Sequence, residues 1–536
     1  MTERLRAARL LSWKRFVFVQ ALSILAASAA YGLNPIVPDD YFGADPAGRQ
    51  WADGRLYVYG SHDTSTTDWC SNNYHLFSSG DLVTWIDHGE FFHSSGPYDD
   101  VPWTNALLYA PDAVYRDGVY YLYFSLSQKT DDEGVAVGTS PWGPFSYASI
   151  VKGASGIDPA VFIDDDGQAY MYWGQYASSA AKLEADLTEI DPTTLTKNVL
   201  TQASHHFHEG SSMRKRNGVY YYVFADISRR GKPTCLGYAT SSSPLGPFTY
   251  RGVIIDNYAA DPAAWNNHGS IVQFNDQWYV LYHRASHGSK YRRKICIEPI
   301  SFAADGTIPE VVMTTQGAGG PLDPYARIEG ELACELSGTT KAEDCSEGGD
   351  DLGFIRNGSH AVYRYLDFGS GAATFTARVA SWTSGSAIEA HLDSEDGPLI
   401  ATCDVPDTCG WQSWQTVSCP ASGATGVHAL YLRFTGGKGN LVNVNWFQFS
   451  PAGDSPCGGG GAGGSGGCGG EASPSDTGGS PAAAEGGPAA CPPGDTDTDS
   501  GCACRTPAGA AENPRAMPVI LLTGIGAFAL GRRRRR

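Results

Sequence analysis

Basic residues are scarce in this chain: 38 Lys and Arg stand against 57 Asp and Glu, a formal net charge of −19 over 536 residues. Nucleic acid needs clustered cations to replace its counterions, so it is excluded as the expected partner. Long apolar runs are lacking too. The N-terminal run FVFVQALSILAA is shorter than the roughly 20 residues that cross a bilayer. It follows Arg4, Arg6, Arg9, Lys14 and Arg15 and precedes the small-residue stretch ASA at 27–29, so residues 1–29 read as a secretory signal peptide. Cysteine is thin early on. Of 13, only Cys70, Cys235 and Cys296 precede residue 300; five lie between 334 and 419 and five beyond 456. Export permits disulfides, and the two later groups are the expected staples. No long amphipathic helical period competes with strand patterns, so the chain is expected to be all-β.

Acids are plentiful, and SGIDPAVFIDDDGQAYMYWG (155–174) holds four of them. A helix–loop–helix calcium loop is excluded there: with Gly167 at loop position six, Phe162 and Trp173 occupy positions one and twelve, which need carboxylates. Asp164–Gly167 reads instead as a tight turn between β-prone runs. The same pattern recurs. ADGRLYVYGSH, RDGVYYLYFSL, DDGQAYMYWGQ, RNGVYYYVFAD and FNDQWYVLYHR are each a polar turn followed by an aromatic strand, and their turn positions, Gly54, Gly118, Gly167, Gly218 and Asp276, lie 49 to 64 residues apart. One four-stranded propeller blade per repeat fits that spacing, and five repeats predict a five-bladed β-propeller over 33–320.

A polar residue stands ahead of each turn: Asp45, Asp158 and Glu209 by nine residues, Asp112 by six, His268 by eight. On the innermost strands of a propeller these would converge in one axial funnel. Residues 326–450 carry short alternating strand signals and predict a β-sandwich of jelly-roll type. Residues 451–515, rich in Gly, Ala, Ser and Pro, read as a flexible linker. An apolar run at 516–536 ends in five arginines, which the positive-inside rule keeps cytoplasmic.

Converging carboxylates at a propeller mouth suit glycoside hydrolysis, in which one acid protonates the leaving oxygen and another activates water or attacks the sugar. Abundant Trp, Tyr and Phe suit sugar rings as well as β cores. The motifs NPIVPDDYFGADP, YAPDAVYRDGVYYLYFS, GIDPAVFIDDDGQAYMYWG, FHEGSSMRKRNGVYYYVFAD and WNNHGSIVQFNDQWYVLYHR, in this order, resemble glycoside hydrolase family 43 over about 33–315. The resemblance implies five blades and inversion of configuration. It implies Asp45 as general base, Asp158 as the residue that tunes and orients the acid, and Glu209 as general acid. It also implies His268 at the axis, beside or ligating calcium. Asp112 is expected to bind substrate, and Arg284 either to contact substrate in the funnel or to pair with an acid. The tryptophan usual before AP is Tyr109 here.

RIEGE, DLGFIRNGSHAVYRYLDFGSGAATFTARVAS, CGWQSWQTV and NVNWFQF resemble carbohydrate-binding module family 6. That implies structural calcium on Glu329 and Glu331, and a sugar site with Trp411 stacking and Asn443 hydrogen-bonding. Phe354 replaces the family tyrosine, and Cys403, Cys409 and Cys419 flank the site. The tail, with GCACRTP ahead of its apolar run, resembles a myxobacterial C-terminal sorting tag and implies transient membrane association before surface display. KRNGVYYY and NNHGSI favour arabinofuranosidase-like members. The expected partner is therefore a plant polysaccharide. Arabinoxylan is the first substrate, with β-xylosidase action second and endo-arabinanase third; a catalytically dead sugar-binding propeller or adhesin is the alternative of another class.

Overall fold

The computed structural model describes residues 33–127, 132–261 and 265–452. The expected signal peptide, the linker beyond Ala452 and the C-terminal tag lie outside the described residues. Five antiparallel sheets come first. They are β1–β4 (Gly43–Gln50, Leu56–His62, Asn73–Ser79, Trp85–His93), β5–β8 (Leu108–Arg116, Val119–Leu126, Asp132–Gly138, Phe145–Ser155), β9–β12 (Ala160–Ile163, Ala169–Trp173, Ala177–Lys182, Thr196–Thr201), β13–β16 (Phe207–Arg216, Val219–Asp226, Cys235–Ser241, Thr249–Asp256) and the three-stranded β17–β19 (Ser270–Phe274, Gln277–Ser286, Ser289–Ile300).

The repeated turns are the first hairpins of these sheets. Asp117–Gly118 and Asn217–Gly218 have positive φ at both positions, the type I′ signature that matches strand twist. Each hairpin sends an aromatic-rich second strand into the interior. The cores lie between neighbouring sheets: Tyr59 and Leu76 meet Leu122 and Phe124, Tyr123 meets Met171 and Trp173, Tyr172 meets Tyr222, and Val223 meets Val280 and Tyr282. A further core packs Val58 and Phe77 of the first sheet against Val272, Leu281 and Ile295 of the last. The opening strands touch in turn, β1 with β5, β5 with β9, β9 with β13, β13 with β17 and β17 with β1. Asn34 fastens the N-terminal segment to β19: its Nδ2 donates to Ile297 O (3.0 Å) and Glu298 Oε1 (2.8 Å), and its Oδ1 accepts from Ile297 N (2.8 Å).

The second half forms two facing sheets. The strands are β20–β25 (Ile328–Glu329, Glu335–Leu336, Lys341–Asp344, Asp350–Gly353, His360–Asp367, Ala372–Ser381) and β26–β30 (Ser386–Leu392, Leu399–Val405, Gly410–Pro420, Val427–Thr435, Asn443–Pro451). One sheet runs β22-β23-β30-β25-β28 with β20 on β30, the other β21-β24-β29-β26-β27. Their apolar faces share one core that includes Tyr363, Phe375, Leu432 and Phe447. Cys334 and Val362 leave that core and join the one around Val280, so the halves meet through packed side chains.

The cysteine expectation holds in part. Cys403 and Cys419 form a disulfide across β27 and β28. Cys334 and Cys345 are free and buried, placed as small apolar side chains. Closing a 16-residue separation should constrain the unfolded chain by about 3 kcal/mol. Cys403→Ser with Cys419→Ser is expected to lower the urea midpoint of the sandwich accordingly, and an unchanged midpoint would deny the bond a stabilising role.

Candidate active site

Asp45 and Asp158 both precede proline, a position that favours extended backbone, yet both have left-handed φ, 54° and 59°. Such backbone costs on the order of 1 kcal/mol or more and persists only where its surroundings enforce it. Asp45 sits in a bulge where β1 slips register against β2 between Ala44 and Ala47, and Glu209 sits in a comparable slip of β13 against β14. The bulges re-aim side chains that regular strands would have turned into the sheets.

The Asp45 carboxylate is fully engaged. Oδ1 accepts from Arg293 Nη1 at 3.0 Å and Oδ2 from Ser61 Oγ at 2.7 Å. Its backbone N–H donates to His283 Nδ1 at 3.2 Å, so the proton of that ring lies on Nε2. Burial and the Arg293 charge hold the His283 imidazole far below its usual range, hence neutral. Burial also opposes the charge on Asp45, but Arg293 and His268 outweigh it and hold the carboxyl well below the ordinary range. Asp45 is therefore an ionised carboxylate.

Asp158 differs. Its Oδ2 accepts from Gly210 N at 3.0 Å. Burial, opposed by His268 and reinforced by the charges of Glu209 and Asp45, pushes its carboxyl up to about 7. His268 lies between the two aspartates, Nδ1 3.5 Å from Asp45 Oδ1 and 3.9 Å from Asp158 Oδ2. Burial opposes protonation of the ring, but these carboxylates raise it above its usual range. Gly210, at φ 78°, leaves space for that imidazole: a Cβ there would stand 2.9 Å from it. Glu209 receives Gln175 Nε2 on Oε2 (2.7 Å) and Asn266 Nδ2 on Oε1 (3.4 Å). Asn266 Oδ1 in turn accepts from Arg293 Nη1 at 3.2 Å, so one amide bridges the surroundings of both acids. Asp45, Asp158, Glu209 and His268 line one open cavity with Arg293, Asn266, Trp69 and Trp265. A charged carboxylate and a second acid lining one cavity can move protons on and off a sugar bound there.

Sequence reasoning missed Arg293 and Asn266. Asn266 stands two residues before His268 in the quoted NNHGS. Arg293 lies on β19, outside the turn register, and one signal for it was a third-strand cation in RRK.

Not every expected contact comes to this cavity. Asp112 is buried below it. Its Oδ1 accepts from Arg49 Nε (2.9 Å), and its Oδ2 from Val161 N (2.9 Å). These bonds occupy the carboxylate as a brace between sheets. Arg284 is buried too, bonded to the Tyr282 hydroxyl (2.7 Å), Thr314 O (2.6 Å) and Glu298. Of the two readings of Arg284, substrate contact or pairing with an acid, the geometry is that of pairing. On the sandwich, Phe354 is exposed with Lys341 Nζ 4.1 Å from its ring centroid, and Trp411 is half-buried. Asn443 is buried; its Nδ2 donates to Glu343 Oε1 (2.7 Å) and Trp411 O (3.1 Å), which commits the amide to shaping this edge.

For calcium the donor chemistry fits on the sandwich. Glu331 Oε2 is buried with no hydrogen-bond partner among the described residues, and burial pushes its carboxyl well above the usual range. A hard cation with oxygen ligands would satisfy it, with neighbouring Glu329, now paired with Arg327 at 2.7 Å, as second donor. His268 is not in the set of possible metal ligands that the described residues bring together, His287, Asp344 and Asp350.

Arg293→Met removes the cation that keeps Asp45 ionised. The Asp45 carboxyl should rise, so the acid limb of the pH profile of kcat/KM should move to higher pH, with a loss of about a hundredfold or more at neutrality. Arg293→Lys should move it less. An acid limb that stays in place would deny Arg293 this role.

Residues 33–308 match Glycosyl hydrolases family 43, and residues 330–451 match Carbohydrate binding module (family 6). The arabinoxylan arabinofuranohydrolase of Bacillus subtilis (strain 168) is 33% identical over 508 residues, covering 81% of this chain and 98% of that protein. The protein of the same name from Paenibacillus polymyxa is 33% identical over 475 residues, 78% of this chain and 74% of that one. A crystal structure of a Bacillus subtilis family 43 arabinoxylan arabinofuranohydrolase in complex with cellotetraose is 31% identical over 80% of this chain and 99% of that chain, with a TM-score of 0.47. The chain thus belongs to glycosyl hydrolases family 43, and carries a family 6 carbohydrate-binding module behind its glycosidase half.

Proposed function

We propose that this protein is a secreted, inverting α-L-arabinofuranosidase that removes arabinosyl side chains from arabinoxylan. The observation that carries the reading is the pairing, across one cavity, of an Asp45 carboxylate held ionised by Arg293 with Glu209 held by Gln175 and Asn266. Asp45 takes a proton from water as the water oxygen bonds to the anomeric carbon. Glu209 gives its proton to the glycosidic oxygen as the bond from the anomeric carbon to that oxygen breaks. Asp158 and His268 buffer charge between them: Asp158, pushed up to about 7, changes protonation in the working range.

The ring of contacts among β1, β5, β9, β13 and β17 supports reading the five sheets as propeller blades, with the acids at the axial mouth. Two arabinoxylan arabinofuranohydrolases among the relatives support the substrate. β-Xylosidase action is the second reading, favoured by a relative of that name from Xylanibacter ruminicola, 29% identical over 323 residues. Calcium on Glu331 and Glu329 would contribute charge to the sandwich and takes no part in the reaction. The N-terminal segment supports secretion, and the tail supports transient membrane association before surface display.

Incubation with nitrophenyl α-L-arabinofuranoside should release nitrophenol, and arabinoxylan should yield arabinose first seen by NMR as the β-anomer. No turnover of any pentoside or polymer would sink the enzyme reading. Glu209→Ala should abolish most activity on arabinoxylan and spare activated aryl glycosides, whose leaving groups need no proton; equal loss on both would remove Glu209 as the acid. Trp411→Ala should weaken xylo-oligosaccharide binding by the sandwich about tenfold or more, given the size of a stacking contact. Unchanged titration curves would place the sugar elsewhere.

A further inference from the structure

Lys290 is the second residue of β19 and is half-buried beside the catalytic cavity. Its Nζ lies 5.1, 4.9 and 5.0 Å from the ring centroids of Trp69, Trp265 and Tyr291. The rings also pack on one another, Trp69 4.8 Å from Tyr291 and 6.4 Å from Trp265, both edge-on. Three aromatic faces hold an ammonium in place without neutralising it. None of the ion pairs among the described residues includes Lys290, in a chain with a net charge of −19. The other cation of the cavity is spent: Arg293 bonds Asp45 and, through Nε and Nη2, both oxygens of Asp63 at 2.8 Å. Arg293 also lies 4.9 Å over Trp69, so the cage adjoins the cation that binds Asp45. Trp69 and Trp265 themselves line the cavity.

We propose that Lys290 and its aromatic cage form a subsite for a carboxylated sugar, a uronic acid residue carried by the same polysaccharide close to the pentose that is cleaved. The aromatic faces offer the apolar surface a sugar ring stacks on, and the uncommitted ammonium offers a charge-assisted bond to the carboxylate. The competing account is a lysine stem laid over aromatics for packing alone. The proposal rests on the hemicellulose reading above.

The test uses the full chain carrying Glu209→Ala, to stop turnover, and Trp411→Ala, to silence the sandwich. Calorimetric titration compares a xylo-oligosaccharide bearing one glucuronosyl branch with the unbranched oligosaccharide of equal backbone length. With Lys290 intact, the acidic ligand should bind about tenfold tighter at low salt, and the gap should close as salt screens the charge. Lys290→Met, which keeps an apolar stem, should erase the gap, and Lys290→Arg should keep most of it. Equal affinities with Lys290 intact, or a gap that Lys290→Met leaves unchanged, would overturn the proposal. The salt dependence with Lys290 intact decides the matter even if Lys290→Met fails to fold. Turnover of nitrophenyl arabinofuranoside by the unmutated chain is measured in parallel: its absence would sink the enzyme reading, while the titration still decides the subsite.

Discussion

The Arg293 guanidinium is the contact on which the site depends. It comes from the last sheet and reaches across to the first, where it binds Asp45 of β1 and the buried Asp63 just beyond β2. The geometry of Asp45 is therefore set by the same meeting of sheets that packs Val58 and Phe77 against Leu281 and Ile295. Burying one cation with two carboxylates is expensive unless nearly every donor and acceptor is used. Here the guanidinium also donates to Asn266, and Asp45 takes a further bond from Ser61. Removing the guanidinium would leave two buried carboxylates without their cation.

Two aspartates in the same dipeptide, Asp-Pro, with the same left-handed backbone, consequently end in different protonation regimes. Asp45 has a cation at hydrogen-bonding distance and stays charged. Asp158 has a backbone N–H, an imidazole and two acidic neighbours, and is pushed up to about 7. The residue type is the same and φ nearly so, and the difference lies in what surrounds each carboxyl. Pushing the pKa values of neighbouring carboxyls apart is how a site gives them different proton-transfer roles.

The same distinction explains what could be read from the sequence. The turn register located Asp45, Asp158 and Glu209, because a hairpin at fixed distance and a sheet of similar length carry a residue to the same height in every repeat. Register says where a Cα lies; it does not say whether the side chain is already committed. Asp112 stands six residues ahead of its turn instead of nine, and is consumed by Arg49, which sits on the neighbouring sheet and has no sequence signature. Arg284 is consumed by Tyr282, Thr314 and Glu298. Arg293 could not be found by the register at all. It lies on the third strand of its sheet, and its importance arises from pairings 230 and 248 residues away in sequence. On the sandwich, Phe354 and Trp411 kept partly accessible rings, whereas Asn443 spends its donors on Glu343 and Trp411.

The hairpin that ends in Arg293 also bears on how the two halves work together. At its tip His287 Nε2 lies 3.3 Å from Asp350 Oδ1 of the sandwich, and Gly288 packs beside Lys341, whose ammonium covers Phe354. Within six residues of that tip the same strand carries Lys290 to the rings of Trp69 and Trp265, and Arg293 to the cavity they line. The seam is further closed by Arg364, which donates to Met313 O and pairs with Glu335, and by backbone bonds from Thr315 and Gln316 to Arg364 O. A tether between independent domains would have few such bonds and little shared core. Here Cys334 and Val362 belong to the same apolar cluster as Val280 and Tyr282. A sugar held at the sandwich edge would therefore be held at a fixed offset from the cavity, and the offset is set by a strand that also holds Asp45 through Arg293.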